Sequence, residues 1–431
     1  MINHKENIVY SWVAFILFPF AMFIYAIKNF NKRNSQNLIL AFSFLFGYSV
    51  FLYSGDILRY ESAFIEIFSY TWDDYFYLLK GTLTLSTEKD VNYSINALTR
   101  TPDIFGLSLS FIISRFTDNP RWFWAFLSLI YTFLILKFFD KIYYETYWVK
   151  NSLVQKTFLV GLAFIVPFYV GVSGVRFWPA LFLFTIYALK FSHHKKLKYL
   201  IFAAMSVLIH YSFIVPFMLL IISMLIPKKR IIYRILIIGG LFIFATSTIT
   251  SSLNIIKNVS SKFEGTSIED STDSYTSEEV IEDKNDRVSN SNWYVSLRVD
   301  AMLYFLILLG VIDALGLFRF KENQFLRTTY PLVLTFLILT IVTMDLASIS
   351  RFRYVFFLLI LSRYVALVGL QPLNNSLKLI SYLFLPILTL YIIVSLRAGF
   401  YFVDPILLIS NSILTFFIHS DVSLSEFLVG H

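Results

Sequence analysis

The apolar residues of this chain arrive in long blocks, and that arrangement limits its fold more than any other feature. Several blocks approach the ~20 residues that an α-helix needs to cross the hydrocarbon core of a bilayer. Inside lipid no water satisfies backbone N–H and C=O groups, so only helices and closed barrels can cross. Blocks without a period of two select helices. Charged residues make up 15% of the 431 and hydrophobic ones 57%, against roughly a quarter charged in a soluble domain. The expected fold is therefore all-α: a polytopic integral membrane protein with about 12 transmembrane helices, in a range of about 11–14, forming a single membrane domain over 1–431.

The expected spans are 8–27, 38–53, 122–139, 157–172, 177–191, the broken pair 199–208 and 213–226, 231–248, 299–318, 328–344, 354–370 and 377–396. Segments 104–116 and 406–417 are apolar but short for full spans, which suits an interfacial or re-entrant path. The polar start 1–7 precedes a run of full span length with no small-residue cleavage site, so 8–27 reads as a span rather than a signal peptide. Orientation follows from Lys and Arg in short connections, which stay on the cytoplasmic side. With the N-terminus outside, more than half of the 36 basic residues fall on inner turns, among them Lys195, Lys196, Lys228, Lys229, Arg230 and Arg363. His210 then sits at the outer turn between 199–208 and 213–226. Residues 54–120 form an outer loop with one short helix, and 251–298 a second, acidic outer loop whose composition reads as partly disordered.

Composition also excludes chemistry. There is no cysteine, hence no disulfide and no thiolate-ligated metal. Neither H-E-x-x-H nor a P-loop occurs, and no metal or cofactor is expected. The net charge of +8 reflects cytoplasmic anchors rather than nucleic-acid binding. His193 and His194, beside Lys195 and Lys196, read as a solvated turn.

With this orientation, unusual charges gather on the outer side: Asp56, Arg59 and Tyr60; Arg100 and Asp103; Arg176; His210; Asp345, Arg351 and Arg353. Charge near hydrocarbon is expensive and calls for a partner or a use. The planar guanidinium gives two parallel charge-assisted hydrogen bonds to a diphosphate, and a His or carboxylate nearby can accept the proton of an attacking hydroxyl. Each position also has a plainer account. Arg351 and Arg353 suit headgroup anchors, Arg176 close packing beside Gly174, and His210 a polar turn. Asp56 and Arg59 suit a surface pair, and Asp103 after Pro102 a helix N-cap.

An ordered set of segments resembles the EpsG-like branch of the Wzy polysaccharide polymerases: Ser54-Gly55-Asp56-Ile57-Leu58-Arg59-Tyr60; Pro102-Asp103-Ile104-Phe105; Thr117-Asp118-Asn119-Pro120-Arg121; Ser173-Gly174-Val175-Arg176-Phe177-Trp178; Leu208-Ile209-His210-Tyr211-Ser212-Phe213; and Ser350-Arg351-Phe352-Arg353-Tyr354. Val175 stands where the family pattern has Ile, and the acidic insertion is longer than in the pattern. The resemblance implies a GT-C-like helical architecture in the bacterial cytoplasmic (inner) membrane, with an active site facing the periplasm or cell exterior. It implies a metal-independent glycosyltransferase that joins undecaprenyl-diphosphate-linked oligosaccharides into O antigen, capsule or exopolysaccharide, alongside a chain-length regulator and a flippase. In that chemistry Arg176, Arg351 and Arg353 bind diphosphate, His210 or Asp56 acts as base, and Arg59 and Tyr60 place substrate. Two other classes remain open. A lipid-linked oligosaccharide flippase calls for paired halves and mid-membrane polar residues, and no internal repeat is evident here. An O-antigen ligase or membrane acyltransferase shares the lipid-anchored logic.

Overall fold

The computed structural model describes residues 8–51, 55–84, 103–146, 153–166, 174–225, 230–246, 292–316, 323–343, 349–370 and 375–430. Among these the chain is all-helical; the one strand-like pairing is an isolated antiparallel bridge between Val50 and Val403. Among the described residues four stretches are long and apolar enough to cross a membrane: Arg121–Ile142, Trp293–Leu315, Gln324–Val342 and Asn375–Phe402. Arg100, Asp345 and most of the acidic loop 251–298 lie outside the described residues, although the last residues of that loop are already helical from Trp293.

The helices in chain order are α1 (Ile8–Leu17), α2 (Pro19–Lys28), α3 (Arg33–Tyr48), α4 (Gly55–Phe68), α5 (Trp72–Thr84), α6 (Ile104–Ser114), α7 (Arg121–Thr146) and α8 (Leu153–Phe164). There follow α9 (Phe177–His194), α10 (Leu197–Ile209), α11 (Ile214–Leu225), α12 (Arg230–Thr246), α13 (Trp293–Leu315), α14 (Gln324–Val342), α15 (Arg353–Leu370) and α16 (Asn375–Gly399).

The expected span 8–27 is two helices, because Pro19 opens α2 and its ring ends the run at Phe18. The pair around His210 is broken as expected. His210 takes an extended backbone (φ −148°, ψ 110°), and a 3₁₀ turn over Tyr211–Phe213 leads into α11. Each half supplies about 20 Å of helix, short of the ~30 Å hydrocarbon core.

α15 runs through the centre, with every residue from Val355 to Val368 buried. Its side chains join those of α7, α8, α9, α13, α14 and α16 in the main core. A smaller core joins α1–α4 to α7. There α3 and α7 meet at backbone distance: a Cβ on Gly47 would lie 2.3 Å from the Trp124 carbonyl oxygen. Outward faces of α12 and α16 leave Ile235, Ile238, Phe242, Leu379, Tyr382, Leu383 and Ile393 exposed. Apolar surface on that scale needs an apolar neighbour, and hydrocarbon supplies one.

Arg363, expected on an inner connection, is instead inside the bundle. It is 2% exposed, and its Nε and Nη2 donate to Asp313 at 2.6 and 3.3 Å while Nη1 donates to the Leu326 carbonyl at 3.0 Å. A basic residue within an apolar run can pair internally as well as anchor a loop, and the count of loop charges does not separate the two.

The two short segments also find places. α6 begins at Asp103, beside Arg176 at the head of α9, and the chain reaches Arg121 at the head of α7 seven residues after Ser114. Both ends of α6 therefore lie at one end of the bundle, and the helix runs across that end rather than through it. Arg115 fastens α4 to this turn by donating to the carbonyls of Ile67, Phe68 and Tyr70. The C-terminal segment folds back on the same chain. Leu424 N–H donates to the Val403 carbonyl, Ser412 donates to the carbonyls of Phe15 and Ile16, and Ser423 with Glu426 forms a capping box.

Candidate functional site

Three helix ends meet at one carboxylate, and a fourth lies beside them. Asp103 precedes α6, Arg176 precedes α9, and His210 ends α10. The Ile349–Phe352 turn carries Arg351 into α15. α9 and α10 form a tight antiparallel hairpin, so the start of one and the end of the other share a level, and α6 packs against α10.

Asp103 is fully buried. Its Oδ2 meets Arg176 Nη1 at 2.9 Å and His210 Nδ1 at 3.0 Å, while Oδ1 accepts the Tyr211 backbone N–H. It occupies the N-cap position of α6 without a side-chain cap bond, so the capping role expected for it is not what it performs. Burial works against its charge, but His210, Arg176 and the Tyr211 amide outweigh that and hold the carboxyl below its ordinary range.

An ionised carboxylate only accepts, so His210 Nδ1 carries the proton of this bond and Nε2 keeps its lone pair. Burial pushes the imidazole below its ordinary pKa; Asp103 opposes this, and Arg176 and Arg351 add to it. The ring is thus neutral near pH 7, held by a third group, with a basic nitrogen directed away from Asp103. That is the arrangement a general base requires. His210 and Arg176 keep side-chain exposures of 16% and 19%, so both reach the surface while Asp103 does not.

Aromatic rings hold the assembly. Phe177 packs against His210, Phe213 and Phe352, which ties α9, the His210 turn and the Arg351 turn into one cluster. Tyr60 on α4 lies beneath the Arg176 guanidinium at 6.0 Å. Gly174 makes room for the Trp178 indole, since a Cβ there would fall 2.2 Å from the ring. Trp178 in turn meets Tyr354, over which Arg353 places its guanidinium at 5.8 Å.

Among the residues singled out from sequence, Arg176, His210, Tyr60 and Arg351 therefore share this end of the bundle, and Arg353 flanks it. Arg351 is exposed, and Arg353 is half-buried with its Nε lacking a hydrogen-bond partner. Arg59 lies on the exposed face of α4. Asp56 falls in the first turn of α4, and its side chain lies outside the described residues. The residue that sequence reasoning undervalued is Asp103. Its signal was the Pro102-Asp103 pair ahead of an apolar run, which capping explains equally well; only the fold brings His210 and Arg176 to it across 107 and 73 residues of chain. Among the described residues no group of three or more His, Asp or Glu side chains is arranged to hold a metal ion.

Comparison with known proteins returns no match to any family model, curated protein or solved structure.

Proposed function

We propose that this chain is a polysaccharide polymerase, a membrane glycosyltransferase that joins lipid-diphosphate-linked oligosaccharide units at the outer face of the bacterial cytoplasmic membrane. The observation that carries the proposal is the Asp103–His210 pair beside Arg176, with Arg351 close by. Transfer of a glycan from a lipid diphosphate to a sugar hydroxyl needs a proton acceptor and cations at the departing diphosphate. His210 Nε2 takes the hydroxyl proton, the hydroxyl oxygen forms the new bond to the anomeric carbon, and the lipid diphosphate leaves with the bonding electron pair. Arg351, Arg353 and the outward side of Arg176 meet its negative charge. Asp103 fixes the imidazole tautomer and shares Arg176. Tyr60 supports the guanidinium from below.

The ordered motifs that resemble the EpsG-like Wzy branch support the same assignment, and with it about 12 spans, a GT-C-like architecture and an exterior-facing site. Partners in this account are undecaprenyl-diphosphate-linked units, with a flippase and a chain-length regulator of the same pathway. The test is complementation of a deletion strain. Arg176→Ala and Arg351→Ala are expected to reach wild-type membrane levels and to leave single repeat units where the parent makes a ladder. Full-length polymer from both variants refutes the diphosphate role.

A further inference from the structure

The end of the bundle that carries Asp103 also bears an uncovered aromatic ledge. On α5, Trp72, Phe76 and Tyr77 are 56%, 57% and 58% exposed. Trp72 and Phe76 lie four residues apart and so share a face; their rings sit 6.0 Å apart at 30°. The ledge is rigidly backed. Trp72 meets Phe111 of α6 edge-on at 4.9 Å, Tyr75 stacks on Phe111 at 4.4 Å, and the Tyr75 hydroxyl bonds Ser108 at 3.0 Å. Arg115 lies over the other side of Phe111 and bonds the end of α4. α5 is thus docked on the helix that the site carboxylate immediately precedes, and Phe111 lies about 12 Å along α6 from Asp103.

Exposed aromatics near a membrane surface can also be headgroup anchors, but those come with Lys and Arg against anionic lipid. Here the rings are accompanied by two carboxylates, Asp73 and Asp74, against one cation, Lys80, one turn after Phe76; all three are exposed, so the charge beside the rings is net acidic. Asp73 stands one turn before Tyr77 on the same face. Flat apolar rings beside carboxylate acceptors match a pyranose, which offers a C–H face and hydroxyl donors.

We infer that the α5 ledge is a carbohydrate-binding subsite, separate from the Asp103–Arg176–His210 centre, that stacks pyranose rings of the glycan on Trp72 and Phe76 while Asp73 accepts from their hydroxyls. Its place in the pathway rests on the polymerase proposal, because the ledge then holds the glycan some units away from the reacting one. Binding itself does not depend on that proposal.

The test uses the full-length protein in nanodiscs of neutral lipid, titrated with oligosaccharides released from the surface polymer of the strain that encodes the chain. The signal is the tryptophan fluorescence difference between wild type and Trp72→Phe, with brominated lipid as a second arm. Saccharide is expected to change the Trp72 signal and brominated lipid to leave it unquenched; by isothermal titration calorimetry, which needs no Trp72 reporter, Trp72→Ala and Phe76→Ala are each expected to weaken binding by about tenfold, or 1.4 kcal/mol. Phe76→Tyr, which keeps a ring and the fold, is expected to restore binding. Quenching by brominated lipid, or saccharide affinity unchanged in both alanine variants, overturns the inference. In cells the same two variants are expected to shorten the polymer without abolishing the joining of two units. His210→Ala separates the proposals: in cells it stops joining if the polymerase assignment is right, and in the nanodisc titration it leaves saccharide binding intact if the ledge assignment is right.

Discussion

Replacing Asp103 by Asn keeps the shape of the side chain and removes one acceptor. The carboxylate serves three donors: Arg176 Nη1 and His210 Nδ1 at Oδ2, and the Tyr211 amide at Oδ1. An amide has one oxygen and one NH₂ group. If its oxygen faces the Tyr211 N–H, its NH₂ faces Arg176, a donor against a donor, and forces His210 to accept at Nδ1. The proton then moves to Nε2, and the nitrogen assigned as base loses its lone pair. If the amide is turned the other way, the Tyr211 N–H of the His210 turn is left opposite NH₂. Either orientation sets one donor against the amide NH₂, which is expected to destabilise the fold by about 1–3 kcal/mol. In the first orientation the loss of the base is expected to lower the rate of joining about 10²–10⁴-fold. Asp103→Ala takes the acceptor from all three donors and is expected to destabilise the fold at least as much. Membrane abundance and thermal unfolding in detergent read the first effect, and polymer ladders at matched protein level read the second. Asp103→Asn protein at normal abundance with a normal ladder refutes the role given to His210 and Asp103 together.

Other expectations follow from the same contacts. His210 must be neutral to act, and burial lowers its pKa, so activity is expected to fall on the acid side only below the ordinary imidazole value; a limb above it contradicts the assignment. Asp103 is held below its unfolded-state pKa, so its stabilisation is fully present above the ordinary carboxylate range and is lost as pH falls through the folded value. Thermal melts of wild type and Asp103→Asn are therefore expected to converge in acid and separate towards neutral pH. In the Arg363–Asp313 pair, Arg363→Met alone is expected to cost about 3–5 kcal/mol, and the double variant with Asp313→Leu to recover most of it, as measured by a double-mutant cycle of melting temperatures. Gly47→Ala meets the Trp124 carbonyl, which cannot swing aside as a side chain would, so α3 and α7 must separate; a melting temperature within a degree or two of wild type contradicts that contact.

The helical class and the long apolar helices were legible from apolar block length, because block length is itself the physical requirement; α4 and α5 were not, since their charged and aromatic residues within 54–120 read as an outer loop. The break at His210 was legible too, since charged turns on both sides of 199–226 require the chain either to cross twice or to dip in and return. Phe18–Pro19 was passed over within one apolar run, although the proline that divides it was in view. What block length does not record is partner choice. Arg363 looks like a loop anchor until Asp313 is placed opposite it, and Asp103 looks like a cap until the α9–α10 hairpin sets Arg176 and His210 against it. The candidates Arg176, His210 and Tyr60 stood out because a charge or polar ring interrupted apolar sequence. Their grouping around a buried acid depends on α6 crossing the end of the bundle, and a run of eleven residues fits that path and a re-entrant one equally well.

The central claim is that the Asp103–Arg176–His210 cluster joins lipid-linked saccharide units. The most direct measurement supplies purified, reconstituted protein with lipid-diphosphate-linked repeat units, no nucleotide sugar, and follows product length for wild type and His210→Ala at equal loading. A ladder from wild type and unjoined units from His210→Ala is the expected result. Equal ladders from both, or none from the wild type with intact substrate, contradicts it.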